Sequence, residues 1–287
     1  MRRKHGCLLR GLQLAPLLFL VSAPASAQMP ENVGALEDIA VGDGLTEIDL
    51  KAHFALTGID PETAEIVQFD TLFGAFNVLL NRNAAPQTVA NFLAYVDAGR
   101  YDNTIIHRSV PDFVVQGGSY TAVIPPGRVE EFAPIQLEYN LPNIRGSIAM
   151  ARRSEPNSAT SGFFFNTVDN TNVLKPSDFG AGYAVFGHVM GTGMSVVDMI
   201  AAQPVYDTGQ DPFRELPLHD FVSGIVGTNH LITIHSVRRA SVYPDGENPS
   251  VLTFTATSSH PLIAGTIIDG SRLRISVPTG ASGEAEV

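Results

Sequence analysis

Tryptophan is absent from the 287 residues, and cysteine occurs once, as Cys7. A chain cut after residue 27 would hold no thiol, which excludes disulfides, cysteine-held zinc or iron–sulfur centres and a cysteine nucleophile. Base is also short: 18 Lys plus Arg stand against 29 Asp plus Glu, a formal net charge of -11. Four of the basic residues, Arg2, Arg3, Lys4 and Arg10, lie in the first 27 positions, which hold no acid, so residues 28–287 carry -15. Such a balance argues against a general nucleic-acid binder, because phosphate contact needs clustered cations. The eight histidines show no metal-ligating spacing, and there is no GxSxG elbow or glycine-rich phosphate loop joined to lysine. No metal and no cofactor is expected.

Met1–Arg10 is basic, Leu12–Val21 is mostly apolar, and Ala25-Ser26-Ala27 supplies the small residues a signal peptidase reads. The apolar run is about half the roughly 20 residues needed to span a bilayer. Residues 1–27 are therefore expected to be a signal peptide cleaved before Gln28, giving a periplasmic or secreted protein with no membrane span. Residues 28–65 form an acidic N-terminal extension with at most one strand, over Leu45–Leu50. Residues 66–239 form the main domain, and 240–287 a linker with a β-rich C-terminal extension.

Within the main domain IVQFD and AFNVLL alternate apolar and polar residues about Gly74 and read as a hairpin. The spacing of Val89, Phe92, Leu93 and Val96 predicts a helix over Gln87–Ala98, with Thr88 as its cap and Gly99 as its stop. A second helix is expected over Ser195–Gln203, carrying Val197 and Ile200 inward. TIIHR, FVVQG, GSIAMA, GFFFNTV, YAVFGHV and HLITIHSV read as strands; in the C-terminal extension so do VLTFTATSS, GTIIDG and RLRISV, and Gly283–Val287 looks like the start of one more. The fold class is mainly β: a closed eight-stranded antiparallel barrel capped by two helices.

Residues 105–120 read IIHRSVPDFVVQGGSY, which places His107, Arg108, Pro111, Phe113, Gln116, Gly117 and Gly118 in the pattern H-R-x-x-P-x-F-x-x-Q-G-G. That block, with APQTVANFLAYVDAGRYDNT at 85–104, GSIAMARRSEPNSATSGFFFNTVDN at 146–170 and GYAVFGHVMGTGMSVVDMI at 182–200, resembles the cyclophilins, the peptidyl-prolyl cis-trans isomerases. The resemblance covers Ile66 to Arg239. It implies that Arg108, Phe113 and Gln116 act on the prolyl bond, that Phe113, Val114, Phe164 and Leu174 line a proline pocket, and that Ala151, Arg152 and Tyr183 lie along the peptide. The partners it implies are proline-containing unfolded or flexible polypeptides, met by a protein that is monomeric by default.

The chemistry of these residue types agrees with that implication. A prolyl amide resists rotation by about 18–20 kcal/mol because the nitrogen lone pair is delocalised. A twisted amide has a pyramidal nitrogen that accepts a hydrogen bond, so a fixed guanidinium favours it over either planar form. His107 is expected to pack rather than titrate, and Gly117 and Gly118 to meet a backbone requirement. Four positions depart from the family pattern: Gly162 stands where glutamine is common, Arg152 where a smaller polar residue is common, Tyr183 where many members carry histidine, and Val173 where an indole is common, the last of which implies weak inhibition by cyclosporin-type macrocycles. A non-catalytic peptide-binding or adhesion module, with the barrel as scaffold, is the alternative.

Overall fold

The computed structural model describes residues 7–10, 30–33, 39–41, 44–177, 180–279, 281 and 283–287. They divide into two compact units, one of residues 64–240 and one built from both ends of the chain. No helix among the described residues is long and apolar enough to cross a membrane.

Among the described residues, the main sheet of the larger unit has nine strands, β1 Ile66–Thr71, β2 Gly74–Leu80, β3 Thr104–Ile105, β4 Arg108–Val110, β5 Val114–Gly117, β6 Ser147–Met150, β7 Phe163–Asn166, β8 Val185–Val189 and β9 Thr233–Ala240. They pair in the order β3-β9-β1-β2-β8-β6-β7-β5-β4, every ladder antiparallel. This is a curled nine-stranded sheet, not the expected closed eight-stranded ring. The cause lies in TIIHR, expected as one strand. Ile106 N–H turns to Ile232 O at 2.9 Å while His107 N–H turns to Gln116 O at 3.1 Å. The run thus splits into β3 at one edge and β4 at the other.

Among the described residues there are three α-helices rather than two: α1 Pro86–Asp97, α2 Thr171–Leu174 and α3 Met194–Ala201. Helix α1 closes as predicted. Gly99 is left-handed (φ +64°), Gly99 N–H reaches Val96 O and Arg100 N–H reaches Tyr95 O, the paired bonds that satisfy late carbonyls. Its start differs from expectation. Thr88 is the receiver of a cap, not the cap: Glu138 accepts from Gln87 N–H at 3.1 Å and from both the N–H and the hydroxyl of Thr88 at 2.8 Å. A carboxylate suits the positive end of a helix and its unpaired donors. Helix α3 buries Val196, Val197 and Ile200. The core they enter is aromatic: Phe69, Phe76, Phe92, Tyr101, Phe163, Phe165 and Phe186 are all buried and packed into one cluster.

In the smaller unit Gly44–Asp49 pairs with Arg272–Val277, which pairs in turn with Gly265–Asp269. Strand Pro30–Asn32 pairs with Phe54–Leu56, so the N-terminal segment holds more than the single strand expected of it. VLTFTATSS forms no strand; Phe254 and Ala256 pack on the unit's core, but the run joins no ladder. Most of the expected leader lies outside the described residues. Its described part, Cys7–Arg10, pairs in parallel with Glu284–Glu286 and antiparallel with Ile39–Val41.

Candidate active site

Cross-strand register builds the site. In β4, β5, β7, β6 and β8 the directly opposed residues are Arg108, Gln116, Phe164, Ala149 and Val185. Directly opposed residues of an antiparallel sheet project from the same face, so these five form one row. Phe164, Ala149 and Val185 pack with Val114 and Leu174 into a cluster separate from the main core, and Phe113, Ala151, Tyr183 and Leu141 pack against it half-buried. Six of the nine residues singled out from the sequence thus meet in one apolar patch, and Arg108 and Gln116 continue its row.

The ninth, Arg152, joins through an aromatic contact. Its guanidinium lies 4.7 Å from the centre of the Tyr183 ring, which meets Phe164 edge-on at 5.5 Å. Its Nε donates to Gly182 O at 2.9 Å, and Nη1 donates to Arg153 O and Ser154 O. Arg152 is therefore a clamp across the loops at one end of the patch. At the other end Arg108 donates through Nε to Glu215 Oε2 at 2.6 Å.

Two sets of residues here were not singled out from the sequence. One is Glu215, in the 3-10 turn Phe213–Glu215. The other is a buried amide chain that fixes Phe113: Asn170 Nδ2 donates to Phe113 O at 2.8 Å and to Asn166 Oδ1 at 2.9 Å, while Asn166 Nδ2 donates to Asn143 Oδ1 and Ser147 Oγ. Buried amides are costly unless paired, and this pairing locks the loop before β5 to the residues after β7. Asn166 and Asn170 lie inside the matching sequence block, but nothing in their spacing signals the bond to Phe113.

Position 118 requires glycine. Its φ is +79°, and a Cβ there would lie 2.6 Å from the Phe163 ring and 2.8 Å from Ser161 O. His107 is buried with its ring edge-on to Tyr120 at 4.9 Å, and its Nδ1 has no partner among the described residues. Burial, aided by the charge of Arg108, pushes its imidazole down to about 4, so it packs as a neutral ring. Val173 is 70% exposed on α2 beside Leu174. No group of three or more metal-ligating side chains occurs among the described residues.

Comparison with known proteins bears on this face of the sheet. The family model described as Cyclophilin type peptidyl-prolyl cis-trans isomerase/CLD matches residues 66–221. The chain is 44% identical over 146 residues to a peptidyl-prolyl cis-trans isomerase of Acinetobacter baylyi, covering 50% of this chain and 76% of that protein. It is 39% identical over 161 residues to peptidyl-prolyl cis-trans isomerase B of Escherichia coli, covering 55% of this chain and 95% of that one. Among solved structures, a cyclophilin type isomerase of Cryptosporidium parvum aligns with a TM-score of 0.45 at 21% identity, over 61% of this chain and 97% of that one.

Proposed function

The chain belongs to the cyclophilin type peptidyl-prolyl cis-trans isomerase family and is an enzyme of that class; from this premise we propose that it accelerates Xaa-Pro rotation in exported polypeptides through Arg108. The single observation that carries this reading is the row Arg108, Gln116, Phe164, with Phe113, Val114 and Leu174 packed about its apolar part. The proline ring lies on that apolar part, and Gln116 holds the substrate backbone. Arg108 donates to the prolyl nitrogen only when the amide has twisted, so its bond lowers the barrier without holding either planar isomer. No proton leaves and no covalent bond is made.

Magnitudes divide the work. A thousandfold acceleration needs about 4 kcal/mol, and one charged hydrogen bond contributes roughly 1.5–3 kcal/mol. The remainder falls to the apolar surface, which disfavours the more polar planar amide. Arg108→Ala should therefore lower kcat/KM by roughly ten- to a hundredfold in a protease-coupled proline-peptide assay. Equal rates for wild type and Arg108→Ala would defeat the reading.

The exported destination rests on the order of basic, apolar and small residues in 1–27. Its check is the mass of protein recovered from outside the cytoplasm, expected to begin at Gln28. Val173 supplies little surface for a cyclosporin-type macrocycle, and Val173→Trp should tighten such an inhibitor without changing turnover.

A further inference from the structure

We propose that Glu215 is a positioning residue that orients the Arg108 guanidinium toward the prolyl amide; the proposal rests on the catalytic reading of Arg108. The manner of contact is the first argument. Three surface arginines of this unit spend the fork on both carboxylate oxygens: Arg238 gives Nη1 and Nη2 to Asp102, and Arg239 and Arg82 each give Nε and Nη2 to Asp97 and Glu65, whereas Arg153 and the exposed Arg214 each give one nitrogen to one carboxylate oxygen. Arg108 gives Glu215 only its Nε, at 2.6 Å, and its terminal nitrogens make no bond among the described residues. A charge-assisted bond at Nε fixes the plane of the guanidinium while leaving the terminal edge for an acceptor outside the protein.

The second argument is how the carboxylate is held. Phe213, two residues before Glu215, stands edge-on to Tyr120 at 5.0 Å, and Tyr120 in turn meets His107 at 4.9 Å. Phe213 O accepts from both the N–H and the hydroxyl of Thr208. Leu216, the next residue, is buried and pairs with Tyr206. The acid and the residue preceding Arg108 are thus braced on one aromatic stack. A flexible arginine spends most of its time in rotamers that miss the reacting nitrogen, and a group placed slightly wrongly forfeits much of its catalytic value.

The test is kcat and KM on one proline peptide for wild type, Glu215→Ala, Glu215→Gln, Arg108→Ala and the double variant Arg108→Ala/Glu215→Ala. Glu215→Ala should lower kcat about tenfold with KM nearly constant, and Glu215→Gln, which keeps an acceptor of the same shape, should return to within about threefold of wild type. In the Arg108→Ala background the loss of Glu215 should have no further effect. An unchanged or raised kcat in Glu215→Ala overturns the proposal, as does the same proportional loss with and without Arg108, which would mark a merely structural acid. Should Glu215→Ala fail to fold, Glu215→Leu, which fills the space without an acceptor, takes its place, and a kcat unchanged by it, or lowered in the same proportion with and without Arg108, overturns the proposal equally. A slow Arg108→Ala beside a normal Glu215→Ala removes this inference alone; a fast Arg108→Ala removes the catalytic reading beneath it.

Discussion

Strands β5 to β8 present two apolar faces that the chain uses differently. Val115, Phe165, Phe163, Ile148 and Phe186 point into the main core, while their neighbours Val114, Phe164, Ala149 and Val185 build the outer patch. Both sets are almost fully buried by their surroundings. What separates them is what packs against them. The core face is roofed by α1 and α3 and by further rings, whereas the outer face is bordered by Phe113, Leu174 and Tyr183 and by two arginines. Apolar character alone does not tell a pocket from a core; the polar groups along its border do.

Adjacent phenylalanines sharpen this comparison most. Phe163 meets the rings of Phe69, Phe92, Tyr101 and Phe165 at 5.4 to 5.9 Å. Its truncation to alanine should cost about 3–5 kcal/mol of unfolding free energy by urea titration, leaving the folded fraction with near-normal kcat/KM. Phe164→Ala should cost about half as much stability yet lower kcat/KM by roughly tenfold or more, because in the proposed reading its ring serves the substrate. If the two variants lose stability and activity in the same proportion, the division between the faces is false.

The next contrast is one residue wide. His107 is buried and neutral, while Arg108, beside it, is half-exposed and charged. With the folded pKa at about 4 and the usual value at 6.5, the unfolded chain binds a proton over that window and the folded one does not. Stability should therefore fall as pH drops from about 6.5 to about 4, by up to about 3 kcal/mol from this ring. Replacing it by an isosteric neutral amide, His107→Gln, should flatten that part of the curve relative to wild type. Parallel curves for the two proteins would show that the ring takes up its proton without unfolding.

A smaller effect belongs to the roof of the core. Glu138→Gln weakens the bonds to the start of α1 and should lower stability by about 1 kcal/mol, with kcat/KM unchanged. A loss of activity instead would mean that α1 transmits strain to the outer face.

These contrasts mark what the sequence makes legible. Alternation exposed the hairpin about Gly74, and helical spacing exposed the inward faces of α1 and α3, because both signals are local. The patch residues were found through the order of four matching blocks; alternation could not have separated Phe163, Phe164 and Phe165, which are apolar on both faces. What stayed hidden depends on long-range polar pairing. Glu215 lies 107 residues from Arg108, and Glu138 lies 50 from Thr88; a carboxylate's partner is chosen by the folded geometry and leaves no period in the chain. The split of TIIHR was hidden for the same reason, since consecutive N–H groups found acceptors on opposite sides only once β5 and β9 were in place.

The smallest expected effect concerns Gly162, which shares the outward parity of Phe164 and lies next to Ala151 at the border of the patch. A Cβ at 162 would come within 2.7 Å of Ser119 Oγ and 3.4 Å of Ala151 Cβ. The first contact is with a hydroxyl that can rotate, so a longer side chain is sterically affordable once Ser119 gives way. Gly162→Gln should cost under about 1 kcal/mol of stability and add one neutral hydrogen bond to a bound backbone, raising kcat/KM by a few fold. The gain should appear as a lower KM with kcat constant, because planar and twisted substrates share that contact. Adding Ser119→Gly removes the crowding and should leave the gain intact or enlarge it. If the double variant binds peptide no better than wild type, Gly162 is not part of the peptide-facing border and the patch ends at Phe164.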